Sequence, residues 1–368
     1  MRALLFIAAV LIAQELPDID SLQKTARAAY SKGNYAAARQ MLEQAWELAQ
    51  QTPPDNPKRY DVLKQLSGTL SAAGDYPAAQ NYVELAINWR ENIDRNDPKL
   101  AEEYIELASL CQRLKDLDRA LALLQTALRI HSREGSDNLL SADDFSRISL
   151  VYMDQKKPEQ AAPPLQTAIA IREKVLGAEH PAILSELDRL GTIWIALREY
   201  PKAEEIFRRA LIIRERLVGP NDAGLISTVE GLAYALFGQK KYDEAEPGYQ
   251  RLLTLWMVST GDPTHPMVAV TLDKIAVFYR MQEKWDQGTD AAEKAIALRA
   301  VFLANGLSQE ATARQAHGDK KEAARLFGQA LAALDESRPE HADLRKQLEQ
   351  NLKELEIEVK PRKPAPKK

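Results

Sequence analysis

The stretch Leu176–Gly219, LGAEHPAILSELDRLGTIWIALREYPKAEEIFRRALIIRERLVG, decides the fold. Apolar and small residues recur at Leu187, Leu190, Gly191 and Trp194, then at Ala203, Phe207 and Ala210, in the three- and four-residue steps of a single helix face. Arg198-Glu199-Tyr200 separates the two runs, so the stretch reads as two amphipathic helices joined by a short turn.

Versions of this unit fill most of the chain. Aligned on one alanine of the second helix, the units place Ala38, Ala79, Ala120, Ala161, Ala203, Ala245, Gly288 and Ala323 in one column, with spacings of 41, 41, 41, 42, 42, 43 and 35. Seven residues further on stand Ala45, Ala86, Ala127, Ala168, Ala210, Leu252, Ala295 and Ala330. Between them, four residues after the anchor, come Leu42, Val83, Leu124, Leu165, Phe207, Tyr249, Ala292 and Phe327. The first helix carries a complementary stripe: small residues twelve before the anchor (Ala26, Ser67, Ala108, Ser149, Gly191, Ala233, Ala276, Ala311) and mostly large ones nine before it. Small residues on facing helices let the backbones approach, and the large ones fill the space above them. The turn recurs as Gly33-Asn34-Tyr35, Gly74-Asp75-Tyr76, Arg198-Glu199-Tyr200 and Lys240-Lys241-Tyr242, where glycine permits the left-handed residue that ends a helix.

These columns, together with LGAEHPAILSELDRLG (Leu176–Gly191), EYPKAEEIFRRAL (Glu199–Leu211) and KYDEAEPGYQRLL (Lys241–Leu253), resemble the tetratricopeptide repeat. The 41–43-residue period is similar to that of the long repeats of kinesin light chains. The resemblance implies an all-α fold, a right-handed superhelical solenoid of about eight repeats over residues 20–337 whose first helices line a concave groove. It also implies protein or peptide binding and no chemistry of its own. A charged helix over residues 338–358, with Leu344, Leu348, Leu352 and Leu355 as its stripe, is expected to cap the last repeat.

Composition agrees with a helical scaffold. The 368 residues are 45% hydrophobic, and Ala, Leu, Glu, Gln, Lys and Arg dominate over aromatic and β-branched types. A net charge of -4 gives no reason to expect nucleic acid. At the N-terminus Arg2 precedes the apolar run Ala3–Ala13, too short for the ~20 residues of a membrane span and read as a signal peptide over residues 1–14. A periplasmic or secreted protein follows from that reading, and a cytoplasmic adaptor from the alternative that the segment stays in place. The one cysteine, Cys111, allows no intramolecular disulfide. The ending VKPRKPAPKK (359–368) has no apolar periodicity and is read as a disordered basic tail, either a solubilising end or a contact to an anionic surface.

No catalytic, metal or cofactor motif occurs: HExxH, CxxC, GxSxG and Gly-rich phosphate loops are all missing from the sequence. His180 and His265 invite a chemical reading, but they share a column with Asn56, Asp97, Asn138 and Asp222, and four of these six precede proline. Asn or Asp before Pro at a helix start is an N-cap, and the histidines are read as caps too.

Function is sought on the first helices, at positions 15, 11 and 8 residues before the anchor. The first column is Gln23, Lys64, Ile105, Ser146, Asp188, Glu230 and Asp273; the second is Arg27, Gly68, Ser109, Leu150, Thr192, Tyr234 and Val277; the third is Tyr30, Ser71, Gln112, Met153, Ile195, Phe237 and Arg280. Asp188, Glu230 and Asp273 beside Leu150, Met153, Thr192, Ile195, Tyr234 and Phe237 define the candidate groove. The expected occupant is an extended protein or peptide segment with basic and apolar residues, the acids orienting it and the apolar groups supplying burial. Kinesin light chains commonly carry Asn in the first column, where it reads peptide backbone; none of these seven is Asn, which speaks against acidic cargo peptides bound in that manner. An accessory subunit holding a polymer or glycan for an enzyme complex is a further alternative.

Overall fold

The computed structural model describes residues 18–135 and 137–359; the expected leader and all of the basic tail beyond Val359 lie outside the described residues. Sixteen α-helices occur among them: α1 (Ile19–Ser31), α2 (Tyr35–Ala49), α3 (Pro57–Ala73), α4 (Tyr76–Ile93), α5 (Leu100–Arg113), α6 (Leu117–His131), α7 (Leu139–Asp154), α8 (Pro158–Leu176), α9 (Leu184–Ala196), α10 (Tyr200–Val218), α11 (Ile226–Gly238), α12 (Tyr242–Thr260), α13 (Pro266–Arg280), α14 (Trp285–Ala316), α15 (Lys320–Ala332) and α16 (Ala342–Val359). They form two compact units, one ending at Glu186 and the other starting at Leu187. Each unit is a stack of antiparallel helical hairpins, the α-solenoid arrangement.

The anchor columns are the centre of both stacks. Ala38, Ala45, Ala79, Ala86, Ala120 and Ala127 in the first unit, and Ala203, Ala210, Ala245, Ala323 and Ala330 in the second, are all 0% exposed. The opposing small residues Ala26, Ala108, Ala233 and Ala311 are buried with them. In the second unit one ring fills two such gaps at once. A Cβ added at Gly191 of α9 or at Gly231 of α11 would overlap the ring of Phe207, which lies between them.

The turns within hairpins are uniform in backbone and varied in side chain. Gly33, Gly74 and Gly318 occupy the left-handed position, yet so do Lys115 (φ 65°), Lys156 (59°), Arg198 (59°), Lys240 (62°) and Glu283 (61°). In every hairpin the amide after this residue donates to the carbonyl five positions back, as in Asn34 to Ala29, Asp116 to Cys111 and Glu199 to Trp194. This is the Schellman closure, which satisfies carbonyls that the helix end leaves open. The same residue starts the next helix, and Asn34, Asp75, Asp116 and Asp319 accept the amide three residues on as N-caps.

Between hairpins the caps are of the expected kind. Asn56 accepts from the Lys58 amide, Asp222 from Gly224, and the Nδ1 atoms of His180 and His265 accept from Ala182 (3.2 Å) and Met267 (3.3 Å). Both histidines are therefore helix caps. His265 also stacks on Trp256, their ring centroids 5.9 Å apart.

One junction departs from the repeat. The second helix of the seventh unit and the first helix of the eighth are a single uninterrupted 32-residue helix, α14. Five of the other six junctions carry Pro and the sixth carries Gly135 with the capping Asn138, whereas Ala297–Leu307 (ALRAVFLANGL) has no Pro, and its Asn305-Gly306 pair stays within the helix. Loss of the loop also accounts for the short spacing of 35. Beyond it, α15 and α16 close the second unit around Leu326, Phe327, Leu348 and Leu355.

A recurring polar contact links one hairpin's second helix to the next turn. In the second unit Glu204 of α10 accepts from Arg208 Nε (2.7 Å), Lys241 Nζ (2.8 Å) and Gln239 Nε2 (2.8 Å). Burial alone raises this carboxyl, but the three donors overcome it and hold it at about 2.

Three expectations follow from this packing. Gly191→Ala should destabilise the second unit by about 1–3 kcal/mol in urea unfolding, and Phe207→Leu should recover part of that loss when combined with it. Lys156→Gly, at a left-handed position, should stabilise the first unit by about 1 kcal/mol by the same measurement. Because the Glu204 carboxyl lies below its ordinary range when folded, its contribution is complete above about pH 4.5 and disappears as pH falls toward 2. Glu204→Gln should therefore cost about 1 kcal/mol at pH 7, a value reduced by the half-exposed partners, and almost nothing at the acid end of a pH series.

Candidate functional site

The three candidate columns separate by exposure. Every member of the second column (Arg27, Gly68, Ser109, Leu150, Thr192, Tyr234, Val277) is exposed, so this is the free face of the first helices. The third column is partly covered: Met153, Ile195 and Phe237 are half-buried, while Tyr30 and Arg280 are exposed. No member of the first column is exposed, and Gln23 and Ser146 are buried.

The first column is occupied with neighbouring repeats. Lys64 pairs with Glu106 on the next first helix, and Ser146 donates to Glu186. In the second unit Asp188 accepts from the Thr228 hydroxyl (2.8 Å) and pairs with Arg214 (2.9 Å). Glu230 pairs with Lys274, and Asp273 with Arg299. All three carboxylates proposed to orient a basic partner thus join adjacent helices, and each has a cation of the same unit against it.

A further set of polar residues lies beneath this face, outside the candidate columns. Eleven residues after the anchor stand Arg90, His131, Arg172 and Arg214, and seventeen before the next anchor stand Glu103, Asp144, Glu186 and Thr228, all four at most 2% exposed. Arg90 reaches Glu103 at 3.3 Å, His131 reaches Asp144 at 2.6 Å, Arg172 reaches Glu186 at 2.6 Å, and Arg214 donates to Thr228. Burial pushes the Asp144 carboxyl up despite the hydrogen bond from His131. The signal was present in the sequence as polar residues recurring at the repeat period, but it lies off the apolar stripes that identify the helices.

The nine candidate residues are divided between the two units. Leu150 and Met153 belong to the first unit, and the other seven to the second. Of those seven, Glu230, Tyr234, Phe237 and Asp273 line one cavity of about 390 Å³ between α11 and α13, joined there by Tyr249, Val270, Lys274, Val277 and Phe278. Thr192 and Ile195 on α9 are not part of it; the Thr192 hydroxyl donates to the Asp188 carbonyl of its own helix.

The floor of this cavity is aromatic. Phe278 sits 5.9 Å from Phe237, 6.0 Å from Tyr242, 5.2 Å from Tyr249 and 5.4 Å from Tyr279, in tilted or edge-on arrangements that favour ring contact. Burial pushes the Tyr249 hydroxyl well above its usual range. At the rim, Tyr234 (46% exposed) and Val277 (45%) stand free, with the Glu230–Lys274 pair beside them. The arrangement offers apolar burial with one ion pair at its edge, and no nucleophile paired with a base. Among the described residues no cluster of three metal-ligating side chains occurs.

Comparison with known proteins agrees with the repeat. No curated protein matches the chain. Among solved structures, BtubC (BKLC) from P. vanneervenii is 22% identical with a TM-score of 0.52, covering 63% of this chain and 92% of its own. The C-terminal part of a TPR repeat-containing protein from Cytophaga hutchinsonii is 16% identical with a TM-score of 0.52, covering 75% and 94%. Putative kinesin light chain repeats from Podosopora anserina are 20% identical with a TM-score of 0.48, covering 56% and 99%. The first two likenesses are of fold. Tetratricopeptide repeat profiles match residues 18–92, 100–174 and 225–300, and another matches 187–223. With matched repeats over well more than half its length, the chain belongs to the tetratricopeptide repeat family, of the long-period kind that resembles kinesin light chains.

Proposed function

We propose that this protein-interaction scaffold holds an extended peptide segment of a partner protein in the α11–α13 cavity, through an apolar or aromatic side chain seated on Phe237 and Phe278. The observation that carries the reading is the free pair Tyr234 and Val277 above a buried aromatic floor. Rings held by their neighbours lose little freedom on binding, and an apolar side chain entering the cavity is removed from water on several sides. The Glu230–Lys274 pair at the rim supplies one acceptor and one donor for the backbone or a polar flank of the same segment. A partner chosen by positive charge is not part of this proposal, because the acids on this face are already paired.

The proposal includes export, on the strength of Arg2 and the apolar run Ala3–Ala13, and a binding role without catalysis, the usual role of such repeats. N-terminal sequencing of the protein recovered from its host reads the first directly.

The groove is tested with a photo-crosslinking side chain placed at Tyr234 and, as a control, at the equally exposed Ile212 of α10. A partner attached from position 234 and not from 212 is expected. Tyr234→Ala combined with Val277→Asp should then weaken its binding by about tenfold or more, while Asp273→Ser should change it less. Equal attachment from both positions, or binding unaffected by the double substitution, would sink the proposal.

A further inference from the structure

The long helix α14 leaves uncovered both halves of an interface that the other repeats bury. In those repeats the residue twenty before the anchor packs on the residue eight after the preceding anchor: Leu225 lies in one cluster with Leu211, and Val268 in one with Leu253. The apolar members of the first column are sealed, with Leu100 2%, Ile183 0%, Leu225 0% and Val268 0% exposed. Their counterpart on α14, Leu303, is 55% exposed. In the receiving column Ile87 is 6% and Ile169 5% exposed, whereas Ile296 on α14 is 61% exposed.

A second pair of columns shows the same break. The aromatic or apolar residue three before the anchor is covered by the end of the following first helix, as Tyr200 is by Gly238 and Tyr242 by Phe278. On α14 that residue is Trp285, 63% exposed, and the counterparts of Phe278 and Gly238, Ala313 and Ala316, are exposed on the same helix. Ile296 and Leu303 are seven residues apart in one continuous helix, separated by about 10.5 Å of rise, so neither can pack on the other within the chain.

We propose that two copies of this chain pair through α14, antiparallel about a two-fold axis between residues 299 and 300. Such an axis sets Ile296 of each copy on Leu303 of the other, and Trp285 of each over Ala313 of the other. Both contacts obey one symmetry operation, since each pair of numbers has nearly the same midpoint. The occupant of the exposed face is therefore a second copy: the first helix of the eighth repeat, which would cover Ile296 and Trp285, runs on from them in α14 and carries its own uncovered half, Leu303, so each copy offers what the other lacks. The pairing continues the repeat-to-repeat interface across the axis and is isologous, the commonest form of dimer. Arg299, nearest the axis, is held by Asp273 of its own chain, so the two guanidinium charges that approach there are each met.

Sedimentation of the full chain over a concentration series should give twice the chain mass, and Ile296→Asp with Leu303→Asp should return it to one chain mass with unchanged helical circular dichroism. The geometry is read by disulfide formation between two singly substituted chains, Ile296→Cys and Leu303→Cys, co-expressed and oxidised, the buried Cys111 staying in place. A reducible dimer is expected from the mixture and little from either chain alone, because equivalent residues stand a helix length of several residues apart across the axis. A single-chain mass at every concentration, cross-linking no stronger in the mixture than in either chain alone, or an intrachain disulfide when both cysteines are on one chain would overturn the proposal.

Discussion

The close approach of paired helices at fully buried alanines is the contact on which the other packing depends. Alanine at two positions seven residues apart, facing Ala, Ser or Gly on the partner helix, sets the distance between backbones and the rotation of each helix about its axis. Once rotation is fixed, the larger residues at the intermediate position have one direction in which to point, and they fill the space toward the next hairpin. The second unit shows the rule through its exception. Phe207 is the largest residue of its column in the first five hairpins of the chain, and the extra ring volume is accommodated by glycines on both adjoining first helices, Gly191 and Gly231. Total volume is conserved although no single position is.

Polar residues follow the same phase. A carboxylate or hydroxyl seventeen residues before the anchor is buried at each interface from Glu103 to Thr228, and an arginine or histidine from the end of the preceding second helix reaches it. Buried ion pairs add little net stability, since desolvation consumes most of the attraction, but removing one partner is costly. Their effect is to penalise any slip in register between hairpins, where apolar stripes alone would tolerate it. The rung with histidine differs from those with arginine. His131 gives one contact to Asp144, whose carboxyl remains pushed up by burial, whereas Arg172 reaches Glu186 and also Asp143. A forked guanidinium satisfies two acceptors at once, and an imidazole nitrogen satisfies one.

Much of this was legible in sequence because it repeats. Eight aligned repeats average away the accidents of any one unit, so the small residues, the left-handed turns and the caps could all be read, including His180 and His265 as acceptors for amides. The groove was legible only in part. Spacing assigns a residue to a face of its helix, but not what the neighbouring helix places opposite that face. Asp188, Glu230 and Asp273 were on the face expected; Arg214, Lys274 and Arg299, which meet them, come from other helices and from columns other than that of the acids. The fused helix α14 was visible as a spacing of 35, yet a shortened unit and a missing loop give the same number.

The floor of the α11–α13 cavity and the core of the second unit are the same residues. Phe278 is 2% exposed and touches Phe237, Tyr242, Tyr249 and Tyr279, so it packs two hairpins together while its upper edge lines the cavity. A repeat protein builds its stability from each unit and its nearest neighbours, with no distant contacts to compensate a local loss. Residues such as Phe237 and Phe278 are consequently constrained from below by packing, and freedom to vary recognition is confined to the rim. That rim is the second column, whose members range from Gly68 and Ser109 to Leu150 and Tyr234 while the anchors beneath them stay alanine. In the proposed reading, specificity resides in one exposed column laid over a repeated small-residue core, and in the aromatic floor at the place where that column becomes large and apolar.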